Sequence, residues 1–214
     1  MVHISVAKNL IDLGFDLTNA AQFYLGAISP DAIHMRQDTD NFSKYNTHWS
    51  IDKIWHEMDE DEYFSFVVDF INKNKAEADN NFLWGYGVHI LTDMYWNKST
   101  YTKFEENYKN DTAPIQDKRM AYYNDTDILD QILFNECVWK EDVWTLLQNT
   151  NDADFLDLLS AEEINLWRER TLHWYDSGES QHKNPVKYIT KADIENFIRK
   201  CSEKIWTNIS HIEK

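Results

Sequence analysis

The scarcity of glycine and proline constrains the fold of this chain more than any other feature of its sequence. Only five glycines and three prolines occur among 214 residues. A β-sandwich or a barrel needs many tight turns, and glycine and proline supply much of the turn chemistry that such folds require. The sequence therefore predicts an all-α fold. We expect residues 1–214 to form one domain, a multi-helix bundle without repeats or linkers.

The balance of charged residues bears on the partners that the chain can bind. The sequence contains 37 acidic and 21 basic residues, which gives a formal net charge of −16. A surface of this sign repels a phosphate backbone, so binding to a nucleic acid duplex is not expected. A bound divalent cation can reverse the local charge of a site. Phosphoester chemistry therefore remains compatible with the composition.

Hydropathy and cysteine usage predict the cellular setting. The mean hydropathy is −0.64, and the amino-terminal residues lack a basic segment followed by a long apolar run. We expect neither a transmembrane segment nor an export signal. Two cysteines, Cys137 and Cys201, cannot form a disulfide framework. We therefore predict a cytoplasmic protein in which both are buried thiols; the sequence does not indicate its oligomeric state.

Apolar residues at three- and four-residue intervals predict most of the helices. The predicted helical segments are residues 4–17, 59–75, the segment after a polar break at 74–81, 126–147, a helix opened by a capping box at Ser160, and 190–209. Residues 37–47 are polar and lack periodicity, which indicates a loop that presents His48. Residues 176–185 are interpreted as a second polar loop.

The most informative local pattern is the pair His89 and Asp93. Residues four apart on a helix point the same way, and imidazole with carboxylate is a ligand set that zinc accepts. An isolated pair of this kind is also compatible with a core histidine hydrogen-bonded to a carboxylate. However, an ionised Asp93 in a strongly apolar helix needs a partner or a metal. Gly85 and Gly87 in the same segment indicate close packing or a functional requirement.

Three segments and one amino-terminal histidine occur in an order that resembles a known family. They are YLGAISPDAIHMR, NTHW and FLWGYGVHILTDMYW, preceded by His3. This order resembles the zinc-dependent phospholipase C family, which is related to secreted single-strand nucleases. The resemblance covers about residues 1–100 and implies an all-helical bundle of the phospholipase C and zinc nuclease type.

The resemblance implies a metal site whose ligands are assigned position by position. The residues implied are His3, Asp31, His48, His89 and Asp93. Four of them would hold one zinc ion, with Asp93 bridging to a second ion held partly by His3. The family's third zinc takes two further histidines, but this chain has no histidine between residues 89 and 173. We therefore expect one or two Zn²⁺ ions and no third site.

The implied activity is hydrolysis of a small phosphoester or phospholipid head group, in which a water molecule activated by zinc attacks a phosphodiester. Asp31 is the candidate general base or ligand. His34 and Arg36 are candidates for holding phosphate oxygens, and Asn97 is a candidate donor behind the ligands. Two alternatives remain open. The chain could be a non-catalytic metal-binding helical protein with a structural or interaction role, or it could bind no metal and use its histidines structurally.

Overall fold

The computed structural model describes residues 1–37, 41–49, 59–115, 117–176 and 184–212, with only the backbone of 41–43 and 212. Within these ranges the chain is helical and contains no β-strand beyond an isolated bridge between Phe155 and Leu159. The α-helices are α1 (Val2–Asp12), α2 (Ala20–Ile28), α3 (Asn41–Thr47), α4 (Glu60–Asn74), α5 (Asn80–Trp96), α6 (Thr102–Asn110), α7 (Lys118–Glu136), α8 (Lys140–Gln148), α9 (Ala161–His173) and α10 (Lys191–Ile212). A 3-10 helix (Ser29–Met35) follows α2, and a π-helix (Asn97–Tyr101) follows α5.

The centre of the bundle is the crossing of α2 and α5. A Cβ atom on Gly26 would lie 2.2 Å from the carbonyl oxygen of Phe82, and one on Gly85 would lie 2.0 Å from that of Phe23. Only glycine permits two helix backbones to approach so closely. The sequence-based expectation of close packing at Gly85 is therefore confirmed.

The remaining helices pack around this crossing. Helix α4 covers α5, with the side chains of Val67 and Ile71 against Gly87. Helix α1 lies against α2, α5 and the long carboxy-terminal helix α10. The buried apolar side chains form one hydrophobic cluster. As a result, the first turn of α1, the end of α2 and the middle of α5 are held side by side.

Several predicted helix boundaries are wrong, and each error has a local cause. Helix α1 ends at Asp12 rather than extending to residue 17. Gly14 has a φ of +101°, and the amides of Gly14 and Phe15 bond to the carbonyls of Ile11 and Leu10, respectively, which forms a Schellman motif. Phe15 is buried, but it packs from beyond the end of the helix. The stretch 126–147 is likewise interrupted, because α7 ends at Glu136 and α8 begins at Lys140.

The predicted loop at residues 37–47 is also wrong over most of its described part, because residues 41–47 form α3. A short polar helix carries no apolar periodicity and depends on its neighbours for stability. Here α3 packs against the 3-10 helix. The capping box at Ser160 is confirmed, as are helices close to the predicted ranges 59–75 and 190–209. Most of the second predicted loop, residues 177–183, lies outside the described residues.

The two cysteines differ in their environments. Cys201 is buried in α10, as predicted, and burial raises the pKa of its thiol to about 12. Cys137 is only half-buried at the carboxy-terminal end of α7, so the prediction that both thiols are buried is wrong for this residue. Each helix in the described part of the chain is too short or too polar to traverse a lipid bilayer.

Candidate metal centre

Five candidate ligands come from four separate parts of the fold. His3 lies in the first turn of α1, Asp31 in the 3-10 helix, His48 directly after α3, and His89 with Asp93 on α5. The predicted ligands converge at one end of the α2–α5 crossing, where they line or adjoin a single open cavity. His48 and His89 are 1% exposed. The carboxylates of Asp31 and Asp93 are about a quarter exposed, at 26% and 23%.

The distances between these groups fit the coordination of a metal ion. The Nε2 atom of His48 lies 3.4 Å from Asp31 Oδ1 and 3.6 Å from Asp93 Oδ2. The Nε2 atom of His89 lies 3.8 Å from Asp31 Oδ2 and 3.7 Å from Asp93 Oδ2. Three of these separations, 3.6–3.8 Å, are too long for ordinary hydrogen bonds, which span about 2.7–3.2 Å. Ligand atoms on a tetrahedral zinc ion with bonds of about 2.0–2.2 Å are separated by about 3.3–3.6 Å.

The orientation of His89 follows from the helix crossing. Its Nδ1 atom lies 2.8 Å from the backbone carbonyl oxygen of Ala27 on α2. A carbonyl only accepts, so Nδ1 carries the proton and Nε2 presents its lone pair. This buried Nε2 atom has no hydrogen-bond partner among the described residues. A metal ligand with its other ring nitrogen fixed by a carbonyl is the usual arrangement for histidine in zinc sites.

His48 is held in a comparable way by the turn that follows α3. Its Nδ1 atom lies 3.1 Å from the carbonyl oxygen of Lys44, which fixes the same tautomer. The next residue, Trp49, is buried and has a φ of +46°, a left-handed conformation that is costly for a tryptophan. Tyr63 donates a hydrogen bond to the carbonyl of His48, and Tyr86 donates one to that of Thr47. Packing and these bonds maintain the turn that directs the imidazole inwards.

His3 completes a second, overlapping group. Its Nε2 atom lies 2.9 Å from Asp93 Oδ1, and its ring stacks on that of His89 at 3.8 Å between centroids. The ligand atoms of His3, His89 and Asp93 lie within 4.8 Å of one another, and so do those of Asp31, His48 and His89. His89 is common to both groups. The geometry thus offers two adjoining places for a cation.

The charge states of these groups favour ligation. Burial, reinforced by His3, lowers the pKa of His89 to about 3, so its imidazole is neutral at neutral pH. Burial alone would raise the pKa of Asp93, but His89 and a hydrogen bond from His3 outweigh it and bring this pKa to about 2. Burial likewise opposes ionisation of Asp31, yet the neighbouring histidines hold its pKa well below the usual range. Neutral imidazoles and ionised carboxylates are the forms that bind metal.

The other predicted residues, His34, Arg36 and Asn97, differ in their position relative to the cavity. His34 is 47% exposed at the cavity, and its Nε2 atom lies 3.7 Å from Asp31 Oδ1. Asn97 lines the cavity and its side-chain amide donates to the backbone carbonyl of Asp93 at 3.3 Å. Arg36 does not line the cavity. Its guanidinium donates to both carboxylate oxygens of Glu163, at 2.6 and 3.0 Å, and to the carbonyl of Leu158.

The pairing of Arg36 with Glu163 has a structural consequence. Glu163 is also the residue whose side chain closes the capping box of α9. The bidentate pair therefore joins the start of α9 to the segment that follows the 3-10 helix. We do not assign a phosphate-holding role to Arg36.

Sequence reasoning missed the contribution of Trp167 and Arg170 to the cavity wall. Trp167, Arg170 and Trp174 all line the cavity that contains the candidate ligands. Their spacing of three and four residues places them on one helical face, but an aromatic stripe of this kind is equally typical of a core. Helix α7 adds Asp130, which accepts a hydrogen bond from buried Tyr175. Of the remaining histidines, His173 and His211 are exposed, whereas residues 56 and 182 lie outside the described ranges.

Comparison of the chain with protein-family models, with curated proteins and with solved structures finds no match.

Proposed function

We propose that this protein is a zinc-dependent phosphoester hydrolase acting on a small phosphodiester. One observation carries the proposal: two buried imidazoles and two carboxylates, from three separate segments, converge with separations of 3.4–3.8 Å. A combination of nitrogen and oxygen donors suits zinc. The resemblance of residues 1–100 to the zinc-dependent phospholipase C family supports the same reaction class and the same type of helical bundle.

The exposure of the ligands suggests where a substrate enters. His48 and His89 form the floor of the site, while Asp31 and Asp93 face the cavity. When bound, a zinc ion supplies a Lewis acid that acidifies water and stabilises charge on phosphoryl oxygens. We assign Asp31 as a ligand or as the group that accepts a proton from the attacking water, because its carboxylate faces both the histidines and the cavity. His34, 3.7 Å from Asp31, is placed to hold a phosphate oxygen or to exchange a proton with Asp31.

A second ion beside the first is part of the proposal. His3 and Asp93 would hold it together with a donor from the cavity, because the one available lone pair of His89 would serve the first ion, and Asp93 would be shared between the two ions. Paired ions stabilise both the attacking and the leaving oxygen of an in-line displacement. Asn97 fixes the backbone at Asp93 rather than its carboxylate. We therefore assign it a supporting role in positioning Asp93.

The test is hydrolysis of bis(p-nitrophenyl) phosphate by zinc-loaded protein. We expect turnover that is abolished by chelation, by His48→Gln and by Asp93→Asn. His173→Gln is the matched control, because His173 is exposed on α9 outside the cavity. Full activity in either site variant would refute the assignment.

A second candidate function is a non-catalytic metal site that holds the fold together. It is favoured by the origin of the ligands, because one or two ions would cross-link α1, the 3-10 helix, the end of α3, and α5. Structural zinc contributes directly to folding free energy. A large loss of stability on chelation, with no turnover of any phosphodiester tested, would favour this function over hydrolysis.

A further inference from the structure

Two basic side chains, Arg170 on α9 and Lys44 on α3, line the cavity. Arg170 lies at the centre of an aromatic pair on α9, with its guanidinium carbon 4.6 Å from the ring centroid of Trp167 and 4.8 Å from that of Trp174. The three residues lie at positions i−3, i and i+4, so they share one helical face. Two indole faces at these distances attract the guanidinium and restrict its orientation.

Arg170 differs in its partners from Arg36 and Arg168. Arg36 is paired with Glu163, and Arg168 is paired with Asp152. Within the described parts of the chain, no carboxylate lies within ion-pair distance of Arg170. Its planar fork of N–H donors is therefore available to an anionic group from outside the protein.

The position of Arg170 connects it to the candidate metal centre. Its neighbour Trp167 lies 5.9 Å, between ring centroids, from His34. His34 in turn is 3.7 Å from Asp31, and Lys44 lies 3.8 Å from the same carboxylate. Lys44 and His34 thus both adjoin Asp31, and Arg170 lies near His34 through its contact with Trp167. This local positive charge contrasts with the net charge of −16 for the whole chain.

We propose that the Trp167–Arg170–Trp174 cluster is a subsite for a second anionic group of the substrate, separate from the phosphodiester held at the metal centre. Arginine binds phosphate and carboxylate through two parallel N–H donors. A protein of strongly negative net charge repels anions over most of its surface. The second anionic group of a substrate would therefore be held mainly at Arg170, which would orient the diester towards the metal centre. The inference rests on the proposed phosphodiester hydrolysis and specifies the substrate as a diester that carries a further phosphate or carboxylate.

The kinetic experiment uses two matched chromogenic diesters with zinc-loaded protein. One is butyl p-nitrophenyl phosphate, and the other is the same diester with a phosphate on the terminal carbon of its four-carbon chain. The wild-type protein should show a lower KM for a diester with the terminal phosphate. Arg170→Gln should raise that KM by roughly tenfold, the size expected for one charge-assisted contact, and leave kcat and the butyl diester unaffected. Arg170→Lys should retain part of the preference, because it keeps the charge but loses the planar fork.

The control is Arg199→Gln, which removes an exposed arginine paired with Glu203 on α10, outside the cavity. It should leave both KM values unchanged. Equal KM values for the two diesters in the wild-type protein, or a preference that survives in Arg170→Gln, would overturn the subsite while leaving hydrolysis intact.

A binding measurement separates the failure of the subsite from the failure of the proposed function. Calorimetric titration of zinc-loaded protein with butyl phosphate and with the matching alkane bisphosphate requires no turnover. A bisphosphate preference that is lost only in Arg170→Gln supports the subsite even if no diester is hydrolysed. Absence of that preference in the wild-type protein overturns it, whatever the activity.

Discussion

The Nδ1 atom of His89 lies 2.8 Å from the carbonyl oxygen of Ala27, a residue 62 positions earlier in the chain. The bond joins the two helices that cross at Gly26 and Gly85, and it directs the lone pair of His89 Nε2 towards Asp31 and Asp93. The orientation of the His89 imidazole therefore depends on the close packing of α2 against α5.

Replacement of His89 by asparagine tests that feature. The asparagine amide can still donate to the Ala27 carbonyl, but the Nε2 ligand is lost. We expect zinc affinity to fall by about 100-fold or more, while the metal-free protein keeps its stability within about 1 kcal/mol. His89→Leu, which cannot donate, should be less stable than His89→Asn by about 1–3 kcal/mol. Zinc titration and urea unfolding measure both quantities, and unchanged zinc affinity in His89→Asn would contradict the proposed centre.

The helix crossing itself is tested by Gly85→Ala. The new Cβ would lie 2.0 Å from the backbone carbonyl of Phe23, so α2 and α5 must separate. We expect a loss of at least about 3 kcal/mol in the free energy of unfolding. The matched variant is Gly87→Ala, where the Cβ meets the side-chain ends of Ile71 and Val67, at 2.9 Å each. These side-chain atoms can shift, so the loss of unfolding free energy should be smaller than in Gly85→Ala. Equal losses in the two variants would argue against a close backbone contact at Gly85.

Metal binding should raise thermal stability. At a free zinc concentration about 1,000 times the dissociation constant, linkage predicts about 4 kcal/mol of stabilisation, which corresponds to about 10 °C in Tm for a chain of this size. Differential scanning calorimetry with zinc and with chelator measures the shift. Asp93→Asn should show little of it, because it removes the carboxylate that lies within 3.7 Å of His3, His48 and His89. An identical shift in that variant would locate the metal elsewhere.

The stability of the metal-free protein should depend on pH. Burial lowers the pKa of His89 from 6.5 to about 3, so between these values the unfolded chain binds a proton that the folded chain does not. The contribution of His89 to the free energy of unfolding is therefore fully present above pH 6.5, and it is lost as the pH falls towards 3. Asp93, with its pKa lowered from 3.8 to about 2, adds a further loss below pH 3.8. Urea unfolding in chelator at pH 7.5 and 5.0 should show the decrease, and His89→Asn should reduce it; greater stability at pH 5.0 would contradict the expectation.

Arg36→Gln distinguishes a structural arginine from one that contacts substrate. Loss of the bidentate pair with Glu163 should lower the free energy of unfolding by about 1–2 kcal/mol. KM for bis(p-nitrophenyl) phosphate should stay unchanged, because the guanidinium does not line the cavity. A rise in KM without a loss of stability would instead indicate that Arg36 contacts the substrate.

The sequence by itself determined the helical architecture and part of the candidate site. Scarce turn residues and apolar periodicity are local properties, so they predicted α4, α5 and α10 closely, and the capping box marked the start of α9. The spacing of His89 and Asp93 also fixed their shared direction, because helix geometry alone sets it.

Tertiary structure decided what depends on contacts between distant segments. Helix α3 and the left-handed turn at Trp49, which direct His48 inwards, are maintained by packing and by hydrogen bonds from Tyr63 and Tyr86. Arg36 is engaged by Glu163, 127 positions away, and Arg170 reaches the cavity because α9 packs on the 3-10 helix. Local sequence periodicity carries no information about such pairings, because the free energy that selects them arises only when the helices are packed together.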